Sequence, residues 1–156
     1  MTPPNANLPA RPDYIAVTYI NAPVERVWHA FTNPADQTAY FGGKTEIGEV
    51  GERWIRRATE KWPAITGIVL AKVPPNRLLI TWGFEADPPP DRVEFLIEAA
   101  VNGVTRVTIK EYHSRDWPED ITDSAVQGWN ALLAGLKTLQ RLLAPGGVLR
   151  FLDWLE

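Results

Sequence analysis

From Lys44 to Tyr112 the chain is cut into short segments by turn-forming residues: Gly48 to Gly51, Lys61-Trp62-Pro63, Pro74-Pro75-Asn76, Pro88-Pro89-Pro90 and Val101-Asn102-Gly103. The pieces between them are rich in β-branched and aromatic residues and too short for buried helices, so neighbours in sequence are expected to pair as an antiparallel meander. The last hairpin can be registered by arithmetic. Val93, Phe95 and Ile97 share one face of their strand, Val107 and Ile109 share one face of the next, and the two faces coincide only across a loop with an odd number of residues. Val101-Asn102-Gly103 is such a loop, with glycine available for the left-handed position. This register sets Phe95 opposite Ile109 and Val93 opposite Glu111, and it turns the Glu111 carboxylate inward. A four-residue loop from Pro74 to Arg77 would in the same way set Val69 opposite Trp82, Ala71 opposite Ile80 and Gly67 opposite Phe84.

Helical patterns bracket this meander. Residues 1–13 contain four prolines and little apolar content, and read as a mobile tail. A strand follows from Tyr14 to Ile20, after which Asn21-Ala22-Pro23 opens a helix whose Val24, Val27, Trp28 and Phe31 form one apolar stripe. A second short helix is expected from Pro34 to Phe41, stopped by Gly42-Gly43. The last helix is expected from Ser124 to Leu143, with Ser124 and Gln127 as a capping box and Pro145-Gly146-Gly147 as its end. It carries one bulky stripe (Val126, Trp129, Leu133, Leu136, Leu143) beside a thinner one that includes Gly128 and Gly135, and glycines there predict a helix lying close against its neighbour. Residues 14–144 thus form the domain. Residues 145–156 form an amphipathic tail that either packs back on it or docks a second copy, giving a homodimer.

Composition narrows the chemistry. A 156-residue chain buries about 70% of its unfolded surface and needs no staple. The absence of cysteine removes disulfides, thiolate metal sites and thiol nucleophiles. A net charge of −3, with no basic cluster beyond Arg53, Arg56 and Arg57, leaves no footprint for nucleic acid. The first nine residues lack the basic and apolar regions of a secretion signal and no stretch is long enough to span a membrane, so a soluble cytoplasmic protein is expected. Two distant histidines make no metal site, and without a GxSxG, Walker or dinucleotide fingerprint no cofactor is implied.

The stretches NAPVERVWHAFTNP (Asn21 to Pro34), AYFGG (Ala39 to Gly43), GIVLAKVPPNRLLITW (Gly67 to Trp82), TRVTIKE (Thr105 to Glu111) and GWNALLAGLK (Gly128 to Lys137) together resemble the Hsp90-ATPase-activator-homology family of the START/Bet v 1-like superfamily. The resemblance covers most of residues 14–143. It implies an α+β helix-grip fold: a curved antiparallel sheet of about seven strands wrapped around a long C-terminal helix, with two short helices after the first strand. It also implies an apolar cavity between sheet and helix. Many members of the superfamily hold lipids, sterols, polyketides or hormones there, and some cyclise or hydrolyse what they bind.

Against that expectation, Trp54, Trp82, Phe84 and Phe95 on the strands, and Trp129, Leu133 and Leu136 on the last helix, are the residues expected to line a site for a small apolar or aromatic ligand. Ordinary core packing is the competing reading for each of them. Glu111 is the more informative residue, because an inward acid costs free energy unless it is paired or wetted. Either it forms a structural ion pair with Arg56, or it anchors a ligand or acts as a general acid. His113 follows two residues later, and a Glu111/His113 pair could move a proton, which makes Glu111, His113 and Arg56 the candidates for catalysis. Arg56 faces inward only if it shares a face with Trp54. His29 reads as a surface residue. Three functions remain open: a ligand-binding module, a cavity enzyme of the polyketide cyclase or hydrolase type, and a protein-interaction or chaperone-regulator module.

Overall fold

The computed structural model describes residues 8–41, 44–60, 64–84 and 91–143, with only the backbone described for 38–41, 84 and 141–143. Seven strands form one antiparallel sheet: β1 (Tyr14–Ile20), β2 (Thr45–Ile47), β3 (Arg53–Arg56), β4 (Ile65–Val73), β5 (Arg77–Phe84), β6 (Asp91–Ala99) and β7 (Thr105–Tyr112). The spatial order is β1-β7-β6-β5-β4-β3-β2, so every neighbour pair except β1 with β7 is consecutive in the chain. Helices α1 (Val24–Thr32) and α2 (Pro34–Phe41) join β1 to β2, and α3 (Glu119–Leu143) closes the chain as described. The sheet is curved and grips α3, which is the helix-grip arrangement.

The β6–β7 register is the one derived from the odd loop: Phe95 faces Ile109 and Val93 faces Glu111. Gly103 takes the left-handed conformation at φ 74°, preceded by Asn102 at φ 58°. The β4–β5 register differs from expectation. The connection is a three-residue turn between Val73 and Arg77, and a bulge between Val69 and Ala71 sets Val69 opposite Ile80 and Ala71 opposite Leu79. One extra residue on the bulged strand reverses its facing, so Val69 and Ile80 point into the core together.

Gly67 marks a close approach rather than a partner for a large side chain. A Cβ on it would lie 2.0 Å from the Thr81 carbonyl oxygen. The Trp54 indole, on the residue paired with Gly67, donates to that same oxygen at 2.7 Å, and the Thr81 hydroxyl accepts the Ile68 N–H at 2.8 Å. Glycine is therefore what lets β4 and β5 close around a tryptophan.

The last helix starts at Glu119, five residues before the expected Ser124, with Pro118 preceding it and the Thr122 N–H bonded to the Pro118 carbonyl at 3.0 Å. Proline supplies the fixed φ, and Glu119 and Asp120 complement the dipole of the first turn. Its buried face is Trp129, Leu132, Leu133, Leu136 and Gln140. Gly128 is exposed and a Cβ there would touch nothing within 4 Å, so the expected close contact through this glycine does not exist. His29 lies exposed on α1, with Nδ1 2.7 Å from Asp36 Oδ2. No described helix is long and apolar enough to cross a membrane. The amphipathic segment 145–156 lies outside the described residues.

Candidate functional site

The interior between sheet and α3 is built around a run of aromatic rings. Trp54 on β3 lies 4.9 Å from Trp82 on β5, and Trp82 lies 4.9 Å from Trp129 on α3 (ring centroids). Trp129 meets Phe95 edge-on at 6.1 Å, and Phe95 meets Phe31 of α1 at 5.1 Å. These tilted and T-shaped contacts suit the ring quadrupoles and join α1, the sheet and α3. Beside them is a void of about 20 Å³ lined by Phe31, Gln37, Trp54, Trp82, Phe95 and Leu132, among others. It has room for a single water. Trp82 is only partly buried, whereas Trp54, Phe95 and Trp129 are fully so.

Glu111 joins this aromatic run at Trp129. It is 3% exposed, near the end of β7 opposite Tyr14 and Val93. Its Oε2 accepts the Trp129 indole N–H. Its Oε1 lies 2.5 Å from His113 Nε2. The His113 ring in turn stacks flat on Trp117, with centroids 3.8 Å apart and planes 4° from parallel. The backbone there is held from two sides: the Asp13 N–H donates to the Glu111 carbonyl at 2.8 Å, and Asp13 Oδ2 accepts the His113 N–H at 2.7 Å. Asp91 Oδ1 accepts the Ser114 N–H at 2.7 Å. Asp13, assigned by its sequence context to the tail, thus fastens the strand end. A carboxylate facing an imidazole nitrogen holds one proton between them, on either partner, and the stacked Trp117 fixes the ring that shares it.

The remaining candidates are placed as follows. Trp54, Trp82, Phe95, Glu111 and Trp129 come together in one connected cluster. Leu136 is fully buried in the core, and Leu133 lies beside a separate open groove of about 420 Å³ between β1 and α3. The α3 residue at the void is Leu132, next in sequence to Leu133. The side chain of Phe84 is outside the described residues. Arg56 is buried and shares the inward face with Trp54, and burial lowers its pKa by desolvating the guanidinium. It does not pair with Glu111. β3 and β7 are separated by β6, β5 and β4, four strand spacings or about 19 Å along the sheet. The expected Glu111–Arg56 ion pair is replaced by the Trp129 and His113 contacts.

Two residues escaped the sequence reading. Trp117 sits in the polar, turn-rich stretch Ser114 to Pro118, where nothing in the spacing marks an aromatic as a stacking platform. Gln37 is a single polar residue on a short helix, and its burial depends on how α2 packs on α3, which spacing within α2 does not reveal. Among the described residues no group of three acidic or histidine side chains is arranged to hold a metal.

A curved seven-stranded sheet around a C-terminal helix, with aromatic rings and a buried carboxylate between them, defines a helix-grip domain. The family model for Activator of Hsp90 ATPase homolog 1-like proteins matches residues 21–141, and the chain belongs to that family. Solved structures agree on the fold. CalU16 from Micromonospora echinospora is 23% identical with a TM-score of 0.66, over 80% of this chain and 73% of its own. MLL2253 from Mesorhizobium loti is 22% identical with a TM-score of 0.72, over 85% of this chain and all of its own (100%). The Aha1 dimer from Colwellia psychrerythraea, solved in solution, is 17% identical with a TM-score of 0.69, over 79% of this chain and 91% of its own. No curated protein matches the chain in sequence.

Proposed function

We propose that this protein binds a small apolar or aromatic molecule between the curved sheet and α3, the guest taking the place of the Trp82 ring. The observation that carries this reading is the aromatic run itself, packed beside a void, with the partly exposed Trp82 held between Trp54 and Trp129. The void is too small for an organic guest as it stands, so binding requires Trp82 to swing outward. Rotamer changes of this kind are common on binding, and the guest then inherits ring contacts already in place on Trp54, Trp129 and Phe95. Membership of a family with the helix-grip fold is consistent with such a site. Native mass spectrometry of freshly purified full-length chain tests the reading. A co-purifying molecule of a few hundred daltons, released on denaturation and retained or enriched in Trp82→Ala, which empties the space the guest takes, supports it; bare protein that also shows no rise in melting temperature across a panel of aromatic and lipid compounds refutes it.

A second reading is favoured by one specific contact, the 2.5 Å approach of His113 Nε2 to Glu111 Oε1. In this reading the bound guest reacts, and the pair gives or takes its proton as general acid or base. Glu111→Gln keeps an acceptor for the Trp129 N–H while removing the ionisable group, so it should abolish turnover of a converted guest and leave its binding intact. Unchanged turnover would eliminate this role.

A further inference from the structure

One residue in the lining of the void carries a side-chain carbonyl oxygen that the fold leaves without a donor. Gln37, on α2, is 5% exposed. Its Nε2 donates to the backbone carbonyl of Phe31 near the end of α1, and its Oε1 is buried with no hydrogen-bond partner. The amide cannot turn round to relieve this, because reversing it would set its own oxygen against the Phe31 carbonyl, acceptor against acceptor. Nor does its polar neighbourhood supply a donor: the Trp54 indole N–H is committed to the Thr81 carbonyl, Thr45 and Trp82 have interactions of their own, and none of the three bonds to this oxygen. The rest of the lining named here is hydrocarbon: Phe31, Ile47, Leu78, Ile80, Phe95 and Leu132. Gln140, on α3, is equally buried and unpartnered but is not in this lining.

We infer that Gln37 Oε1 is the recognition point for a hydrogen-bond donor on the guest, so that the ligand class is an apolar or aromatic molecule carrying a hydroxyl or N–H. The inference rests on the binding reading above and sharpens it. A fixed, desolvated acceptor in an apolar wall discriminates by what it leaves unpaired. A guest with a donor satisfies it, whereas an isosteric guest without one seals it away from both protein and water. Glu111 does not duplicate this role, since its two oxygens are already engaged by Trp129 and His113.

The test uses a matched pair of probes, 2-naphthol and 2-methoxynaphthalene, titrated into the full-length protein by calorimetry. The ether is the more hydrophobic of the two, so burial alone would favour it. The expected result is the reverse: 2-naphthol binds at least about tenfold more tightly to the native chain. Gln37→Leu is expected to bring the ratio to about one while 2-methoxynaphthalene binds as well as before or better. Gln37→Met serves as a second apolar replacement should leucine disturb the packing of α2, and the ratio in the native chain stands whatever either variant does. Equal binding of the two probes, or a preference that survives in Gln37→Leu, overturns the role of Gln37 and leaves the binding site standing. Failure of both probes to bind overturns this inference together with the reading on which it rests.

Discussion

Trp129→Phe isolates the contact that fixes the buried carboxylate. Phenylalanine keeps a ring against Trp82 and Phe95 but removes the indole N–H that Glu111 Oε2 accepts, in a residue only 3% exposed. Leaving a buried carboxylate oxygen without its donor costs about 2 kcal/mol. The smaller ring leaves roughly 40 Å³ unfilled, which at ~24 cal/mol per Å³ adds about 1 kcal/mol. The total is about 3 kcal/mol, a large share of the ~5–15 kcal/mol that holds a domain together. For 156 residues at ~2.1 cal/mol/K each, the unfolding entropy is about 330 cal/mol/K and the melting temperature should fall by about 9 °C. Urea denaturation should show the loss in the midpoint at an unchanged slope. The decisive comparison is with the same substitution in a Glu111→Leu background. There the N–H has no carboxylate to serve, so the cost should shrink to the packing component of about 1 kcal/mol or less, a coupling of about 2 kcal/mol between the two sites. Equal costs in both backgrounds would show that the Trp129–Glu111 hydrogen bond contributes nothing and would refute the reasoning.

Gly128→Ala should stabilise the protein by about 0.5–1 kcal/mol, since the position is helical and exposed and a methyl group there meets nothing; a destabilised variant in thermal melting would mean that something does cover this face. Tyr112 has a pKa raised above its ordinary 10.0 by burial, reinforced by the nearby charge of Glu94. A group whose folded value lies above its unfolded one gives stability that is full below the unfolded pKa and lost as pH rises through the folded value, so denaturation midpoints should fall above about pH 10 and fall less in Tyr112→Phe. Parallel pH profiles for the two proteins would contradict that assignment.

How much of this was legible in the sequence depended on how local the determining contact is. The inward position of Glu111 followed from loop parity and β alternation alone, because the β6–β7 hairpin carries no irregularity. The β4–β5 pairing failed by the same arithmetic, since the turn takes three residues where four were counted and a bulge near Leu70 then shifts the register again, neither of which residue types reveal to parity counting. The partners of Glu111 divide in the same way. His113 is two residues away and visible, whereas Trp129 arrives from α3, and proximity of Arg56 was wrong because it required two strands that the sheet order holds apart. Gly128 misled for a different reason. Glycine in a helix signals close packing only when it falls on the inner face, and α3 buries Trp129, Leu132, Leu133 and Leu136 while Gly128 faces outward. Trp54, Trp82, Phe95 and Trp129 do meet in one interior, but whether that interior is filled or open is a matter of ångström-scale packing that composition does not encode.

The central claim, that the aromatic interior admits a guest by moving Trp82, is tested most directly by the indole N–H resonances of the chain's seven tryptophans during titration with 2-naphthol. The account predicts saturable shifts at Trp54, Trp82 and Trp129, largest at Trp82, while Trp117, between β7 and α3, stays in place. No saturable shift, or one confined to Trp117, would contradict it.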